Sequence, residues 1–127
     1  MTIDPAAGDN VVFIVDDDEG VRSSLQMLVK SLGLTARAFA SGEAFLDAYD
    51  GHSGSCVLLD VRMPGMSGFD VRQRLSSMQS DIPVIFLTAQ GEEEVPGSLG
   101  PVERVQKPFR DDYLVSRIRA LSGSSDE

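Results

Sequence analysis

One cysteine, one histidine and no tryptophan occur in this chain, and each scarcity removes a class of chemistry. A lone Cys56 permits no internal disulfide, so a reducing, cytoplasmic compartment is expected. His52 is the only imidazole and stands in the loop sequence "DGHSGS". Neither a Ser/His/Asp nor a Cys/His nucleophile can be built around it, and a solvated loop position is expected. There is no CxxC pair, no GxGxxG and no phosphate-cradling loop ending in Lys-Ser or Lys-Thr, so redox pairs and nucleotide loops are set aside. Basic residues are also few. Eleven Lys and Arg against twenty Asp and Glu leave a formal charge of −9. That is the wrong sign for gripping a phosphate backbone, so no direct nucleic-acid binding is expected, whereas a cation is welcome. The start "MTIDPAAGDN" has neither a basic cluster nor an apolar run. No signal peptide and no membrane association are expected, since no stretch reaches spanning length. Chemistry in a chain this poor in nitrogen and sulfur ligands has to come from oxygen.

What is present is regular. "VVFIV" (11–15), "SCVLLD" (55–60) and "IPVIFLTA" (82–89) are short apolar runs of the kind that buried parallel strands show. "LTARAF" (34–39) alternates like a strand covered on one face, and "VERVQ" (102–106) reads as a weaker strand. Between them, Val21, Leu25, Leu28 and Leu32 recur at helical spacing, with Gly33 as a stop. Ser41 suits the N-cap of a helix in "GEAFLDAY", and "FDVRQRLSSM" (69–78) reads as another helix after the turn cluster "MPGMSG". A last helix carries Leu114, Ile118 and Leu121 on one face. Strands alternating with helices predict one α/β domain, a parallel sheet covered on both faces. The expected division is a flexible N-terminus over 1–10, the domain over 11–121, and a polar tail or linker start over 122–127.

In such sheets the site lies beyond the carboxyl ends of the strands. The first strand ends in Asp16 and Asp17, the third in Asp60, the fourth in Thr88 and Ala89, and the fifth just before Lys107. Three carboxylates, a hydroxyl and an ammonium therefore converge. Crowded like charges destabilise one another's ionised forms, so something positive belongs among them. Oxygen ligands of this kind suit Mg²⁺, which takes one or two carboxylates together with phosphate oxygens. A carboxylate so placed can act as the nucleophile of a phosphoryl transfer. The cation, Lys107 and Thr88 would then stabilise the charge on the equatorial oxygens.

With these residues in place, the chain resembles the receiver domains of bacterial two-component response regulators, and most of all the FixJ-like class. The resemblance rests on "VFIVDDDEGVR", "FASGEAFL", "LLDVRMPGMSGFD", "IPVIFLTA" and "KPFRDDYL", which together span residues 11 to 121. It implies a flavodoxin-like (CheY-like) five-stranded parallel sheet, order 2-1-3-4-5. It also implies Asp60 as phosphoacceptor, Asp17 as a direct Mg²⁺ ligand (Mn²⁺ being the alternative ion), Asp16 acting on the metal mainly through water, and the backbone carbonyl of Arg62 completing the protein's share. Thr88 would bond a phosphoryl oxygen and move on activation, Lys107 would pair with the phosphoryl group, and the Lys107–Pro108 peptide would be cis. Thr88, Ala89 and position 104 would form the switch region. Arg62 and Gln90 stand where the family tunes dephosphorylation. The implied partners are a sensor histidine kinase or phosphotransfer protein and an output domain or effector, with a phosphorylation-dependent dimer as one signalling state. No turnover of an external substrate is implied.

Two departures from the family stand close together. The span "TAQGEEEVPGSLGPVERVQK" is shorter by roughly one helical turn than the family's, and Pro96, Gly97, Gly100 and Pro101 crowd it. The fourth helix that the family places between its fourth and fifth strands is therefore expected to be short or missing. Position 104 usually carries an aromatic ring, yet here it is Arg104, which cannot fill an apolar slot without burying a charge unless one of Glu92, Glu93 or Glu94 pairs with it. Three other readings compete. A phosphorylation-independent scaffold has no need of all five site groups. A phosphatase with an aspartate nucleophile wants an acid two residues later, where Arg62 stands. A flavin module wants a hydroxyl-rich phosphate loop after the first strand and gains nothing from a chain without tryptophan. Asp18 and Glu19 are expected in the first turn of a helix, Cys56 in the core, and Met27, Met63, Met66 and Met78 as gap-fillers.

Overall fold

The apolar runs become strands because each can be buried on both sides. β1 (Val11–Val15), β2 (Thr35–Phe39), β3 (Cys56–Asp60), β4 (Val84–Thr88) and β5 (Glu103–Gln106) alternate with α1 (Glu19–Ser31), α2 (Gly42–Ala48) and α3 (Gly68–Ser77), and α4 (Asp111–Ser122) follows β5. The computed structural model describes residues 10–51, 54–88 and 103–122. All strand pairs are parallel and the order is β2-β1-β3-β4-β5, as expected. His52, Ala89, Gln90 and the segment expected to hold a short fourth helix or none lie outside the described residues, as do most of the N-terminus and tail.

The period of two sorts each strand between two layers. Phe13, Val15, Val57, Leu59 and Phe86 face one side and pack with Phe45 and Tyr49 of the α2 segment and Val71 and Leu75 of α3. Val12, Ile14, Cys56, Leu58, Ile85 and Leu87 face the other, against Leu25 and Val29 of α1 and Leu114 and Ile118 of α4. The first layer is aromatic: the Phe13 ring lies 5.1 Å from Phe45 and 5.6 Å from Tyr49. The Tyr49 and Ser80 hydroxyls are 2.7 Å apart and so keep a buried polar tip partnered. Burial pushes the Cys56 thiol up to about 12, which leaves it an inert core side chain.

Caps set where the helices begin, and here several expectations need refinement. Asp18 is the N-cap of α1, accepting from the Val21 N–H at 3.1 Å, and does not belong to the first turn, which Glu19 opens. Ser41 caps α2 as expected. Ser67, assigned to the turn by sequence, caps α3 in a reciprocal pair with Asp70. Gly33 stops α1 at φ 81°, with its N–H on the Lys30 carbonyl and that of Leu34 on Val29. Met63 and Met66 pack into the aromatic layer, but Met27 and Met78 are 74% and 41% exposed and fill no gap. Met27 stands on the solvent side of α1 and Met78 is the C-cap residue that follows α3, and at neither place does a thioether have a cavity to enter.

Candidate functional site

Because the strands are parallel, their last residues meet at one edge. Asp16 follows β1 directly, Asp60 closes β3, Thr88 closes β4 and Lys107 follows β5. The Lys107 ammonium donates to Asp16 Oδ2 at 3.1 Å and to Asp60 Oδ1 at 3.2 Å. Its backbone N–H donates to the Thr88 carbonyl at 2.6 Å, which carries the sheet ladder up to the site. The Lys107–Pro108 peptide is cis, as the resemblance implied.

Asp16 and Asp60 are almost wholly buried, and so is Thr88, whereas Asp17 is exposed at the rim. One carboxylate oxygen from each of Asp16, Asp17 and Asp60 lies within 4.8 Å of the other two. Three hard oxygen donors so close, one of them reaching solvent, fit a small divalent cation that keeps part of its water shell. Asp16 is the most constrained of the three. Its Oδ1 accepts from the Asp18 N–H at 2.9 Å, its own N–H donates to the Phe39 carbonyl, and its carbonyl accepts from the Arg22 guanidinium at 2.7 Å.

Electrostatics separates the roles. Burial and the neighbouring charge of Asp16 push the Asp60 carboxyl up to about 6, Lys107 pulling it down and Asp17 adding to the rise. Burial disfavours the Lys107 ammonium, but the bond to Asp16 and the charges of Asp60 and Asp16 outweigh it and hold its pKa above the usual lysine value. Lys107 is thus part of what offsets the crowded carboxylates, and a bound cation would supply the rest.

All five groups read from the strand ends (Asp16, Asp17, Asp60, Thr88 and Lys107) are therefore brought to this edge. Arg62 is exposed on the loop after β3. Arg104 is exposed on β5 beside buried Val105, so the charge stays in solvent and no apolar slot receives it. Glu92, Glu93 and Glu94, named as partners for it, lie outside the described residues. Two residues of consequence were not singled out from sequence. Arg22 is one, a long side chain whose reach to a carbonyl six positions back leaves no local pattern. Gly68 is the other: a Cβ there would sit 2.4 Å from the Asp60 carbonyl oxygen, so only glycine lets α3 start directly beside Asp60. A glycine immediately after a capping serine was the signal available.

A parallel sheet with this edge defines a receiver domain, and the chain belongs to that family: the response regulator receiver domain model matches residues 12–119. The chain is 39% identical over 116 residues to the response regulator protein TodT of Pseudomonas putida, covering 87% of this chain and 50% of that one. It is 38% identical over 112 residues to the transcriptional regulatory protein FixJ of Bradyrhizobium diazoefficiens, covering 86% and 55%. Among solved structures it matches the response regulator StyR with a TM-score of 0.81 at 35% identity, covering 89% of this chain and 59% of that one. It matches the N-terminal domain of FixJ with a TM-score of 0.76 at 31% identity, covering 92% and 96%. The chain spans about half the length of the curated relatives it matches. No helix among the described residues is long and apolar enough to cross a membrane.

Proposed function

We propose that this receiver domain accepts a phosphoryl group on Asp60 from a histidine kinase or phosphotransfer protein and passes the change to an output domain or effector. The observation that supports this most is the placement of Asp60: a nearly buried carboxylate hydrogen-bonded to Lys107 and flanked by two further acids at the carboxyl edge of the sheet. Asp17 and Asp60, with the Arg62 carbonyl, would hold Mg²⁺ directly, Asp16 mainly through water. When bound, the ion neutralises the carboxylates and draws charge off the phosphoryl oxygens.

An Asp60 oxygen attacks phosphorus as the bond to the donor's imidazole nitrogen breaks, and the imidazole keeps the bonding pair and takes up a proton. Lys107, already beside Asp60, bonds a phosphoryl oxygen, and the Thr88 hydroxyl, closing the adjacent strand, takes another. Thr88, Ala89 and Arg104 would carry the switch. Beside the site a groove of about 730 Å³, with Val21, Pro108 and Phe109 among its lining residues, leaves room for the donor's surface. The working unit is taken as residues 11–121. It promotes its own phosphorylation and dephosphorylation and turns over no external substrate.

Intact mass after incubation with acetyl phosphate and Mg²⁺ tests the reading. One added phosphoryl group is expected, absent without Mg²⁺ and absent in Asp60→Asn. An unmodified wild-type mass with bound Mg²⁺ demonstrated would overturn it in favour of a scaffold.

A further inference from the structure

We infer that Arg22 is a positioning residue for the cation site, acting through the backbone on Asp17; the inference rests on the reading that Asp16, Asp17 and Asp60 hold a divalent ion. The half-buried Arg22 side chain leaves α1 and reaches back past the helix N-terminus to donate to the Asp16 carbonyl at 2.7 Å. That carbonyl and the Asp17 N–H belong to one planar peptide unit. Holding its oxygen fixes the plane, and with it the direction in which the Asp17 side chain leaves the chain.

The rest of the turn is tied on the other side. The Asp16 N–H is held by Phe39, and Asp16 Oδ1 holds the Asp18 N–H, whose residue in turn caps α1. Asp17 stands between these anchors, exposed, with one carboxylate oxygen within 4.8 Å of an oxygen of Asp16 and one of Asp60. Without Arg22 the flanking peptides would keep their ties at Asp16 N and Asp18 N, but the 16–17 peptide between them would lose the bond that holds its carbonyl and sets its tilt. A charge-assisted bond to a carbonyl suits this task, being short and directional.

The sign of the effect separates positioning from plain electrostatics. A guanidinium near a cation site repels the cation, so as a mere local charge its removal would tighten binding. As a positioning group its removal weakens binding, in the manner of groups that orient metal ligands from behind.

The test is a titration with Mn²⁺, followed by the paramagnetic resonance signal of the free ion, on wild type, Arg22→Ala and Arg22→Lys. Urea unfolding of each without metal is measured alongside. Arg22→Ala is expected to weaken binding about tenfold, and Arg22→Lys, which keeps reach and one donor, to recover most of the loss. Equal or tighter binding by Arg22→Ala would overturn the inference, as would a Lys variant no better than Ala. Should Arg22→Ala not fold, Arg22→Gln, whose amide stops short of the carbonyl, takes its place and the same outcomes decide. Wild type that binds no Mn²⁺ overturns the cation reading itself, and the inference with it.

Discussion

Lys107 and Arg110 stand three residues apart in sequence, and their ion pairs illustrate how differently the same chemistry weighs. Lys107 meets Asp16 and Asp60 at 3.1 and 3.2 Å, its side chain 26% exposed and theirs 0% and 9%. Arg110 meets Asp112 at 3.0 Å with side chains 81% and 71% exposed. The distances are alike, yet at the sheet edge two buried carboxylates depend on one ammonium, while at the start of α4 water solvates both partners whether or not they touch. The fold places the costly pair where the strands end and the inexpensive one three residues on. Breaking each pair separately measures that difference.

The largest effect is expected from Lys107→Ala. It leaves Asp16 and Asp60 buried without their ammonium, and breaking one side of a buried pair costs about 3 kcal/mol. Urea unfolding without divalent ions should show a loss of that order. Addition of Mg²⁺ at constant ionic strength should restore a larger share in the variant than in wild type, because the cation then stands in for the lost charge.

Next comes Asp60→Asn, whose sign is opposite. Burial and the charge of Asp16 push the folded Asp60 carboxyl up to about 6, against 3.8 for an ordinary aspartate. A raised carboxylate favours folding in its protonated form. Its contribution is complete below the unfolded pKa and is lost as pH rises through the folded one. Metal-free wild type should therefore lose stability between about pH 4 and pH 6, by on the order of 2 kcal/mol, and change less above that window. Asp60→Asn should be more stable than wild type at neutral pH without metal, and its pH slope across the window should be shallower. Unfolding free energies measured from pH 4 to 8 decide this; a steeper slope in the variant would show that Asp60 is not the group that titrates.

The contrast also explains how much of the fold and the site was legible in the sequence. Asp16, Asp17, Asp60, Thr88 and Lys107 were legible because a parallel sheet delivers strand ends to one edge, so chain order alone converts to proximity. The layers were legible for the same reason, since alternate residues of "VVFIV" and "SCVLLD" must part to opposite faces. Contacts made by long side chains were not. Nothing in "DDDEGVR" says that Arg22 turns back to the Asp16 carbonyl and does not run along its helix, nor that Asp18 is the cap and not a first-turn residue. Met27 and Met78 misled because apolar character alone does not reveal whether a side chain faces the core or solvent. Arg104 departs from the family's aromatic ring, and its exposed position on β5 is a choice between solvent and slot that composition could not decide.

The smallest effect is expected from Arg110→Ala. Here the hydrogen bonds and charge of Arg110 hold the Asp112 carboxyl below its ordinary value, so by sign the pair favours folding at neutral pH and fades as pH falls through the depressed value. Exposure reduces the weight though not the sign: water and salt screen the pair, and ordering two side chains consumes what attraction remains. The thermal midpoint of Arg110→Ala at neutral pH should lie within scatter of wild type, and added salt should not separate them. A clear drop would mean that Asp112, which also accepts from the Tyr113 N–H at 2.8 Å, needs Arg110 to hold the first turn of α4. The difference between the two pairs would then lie less in burial than in the helix start that the Arg110 pair supports.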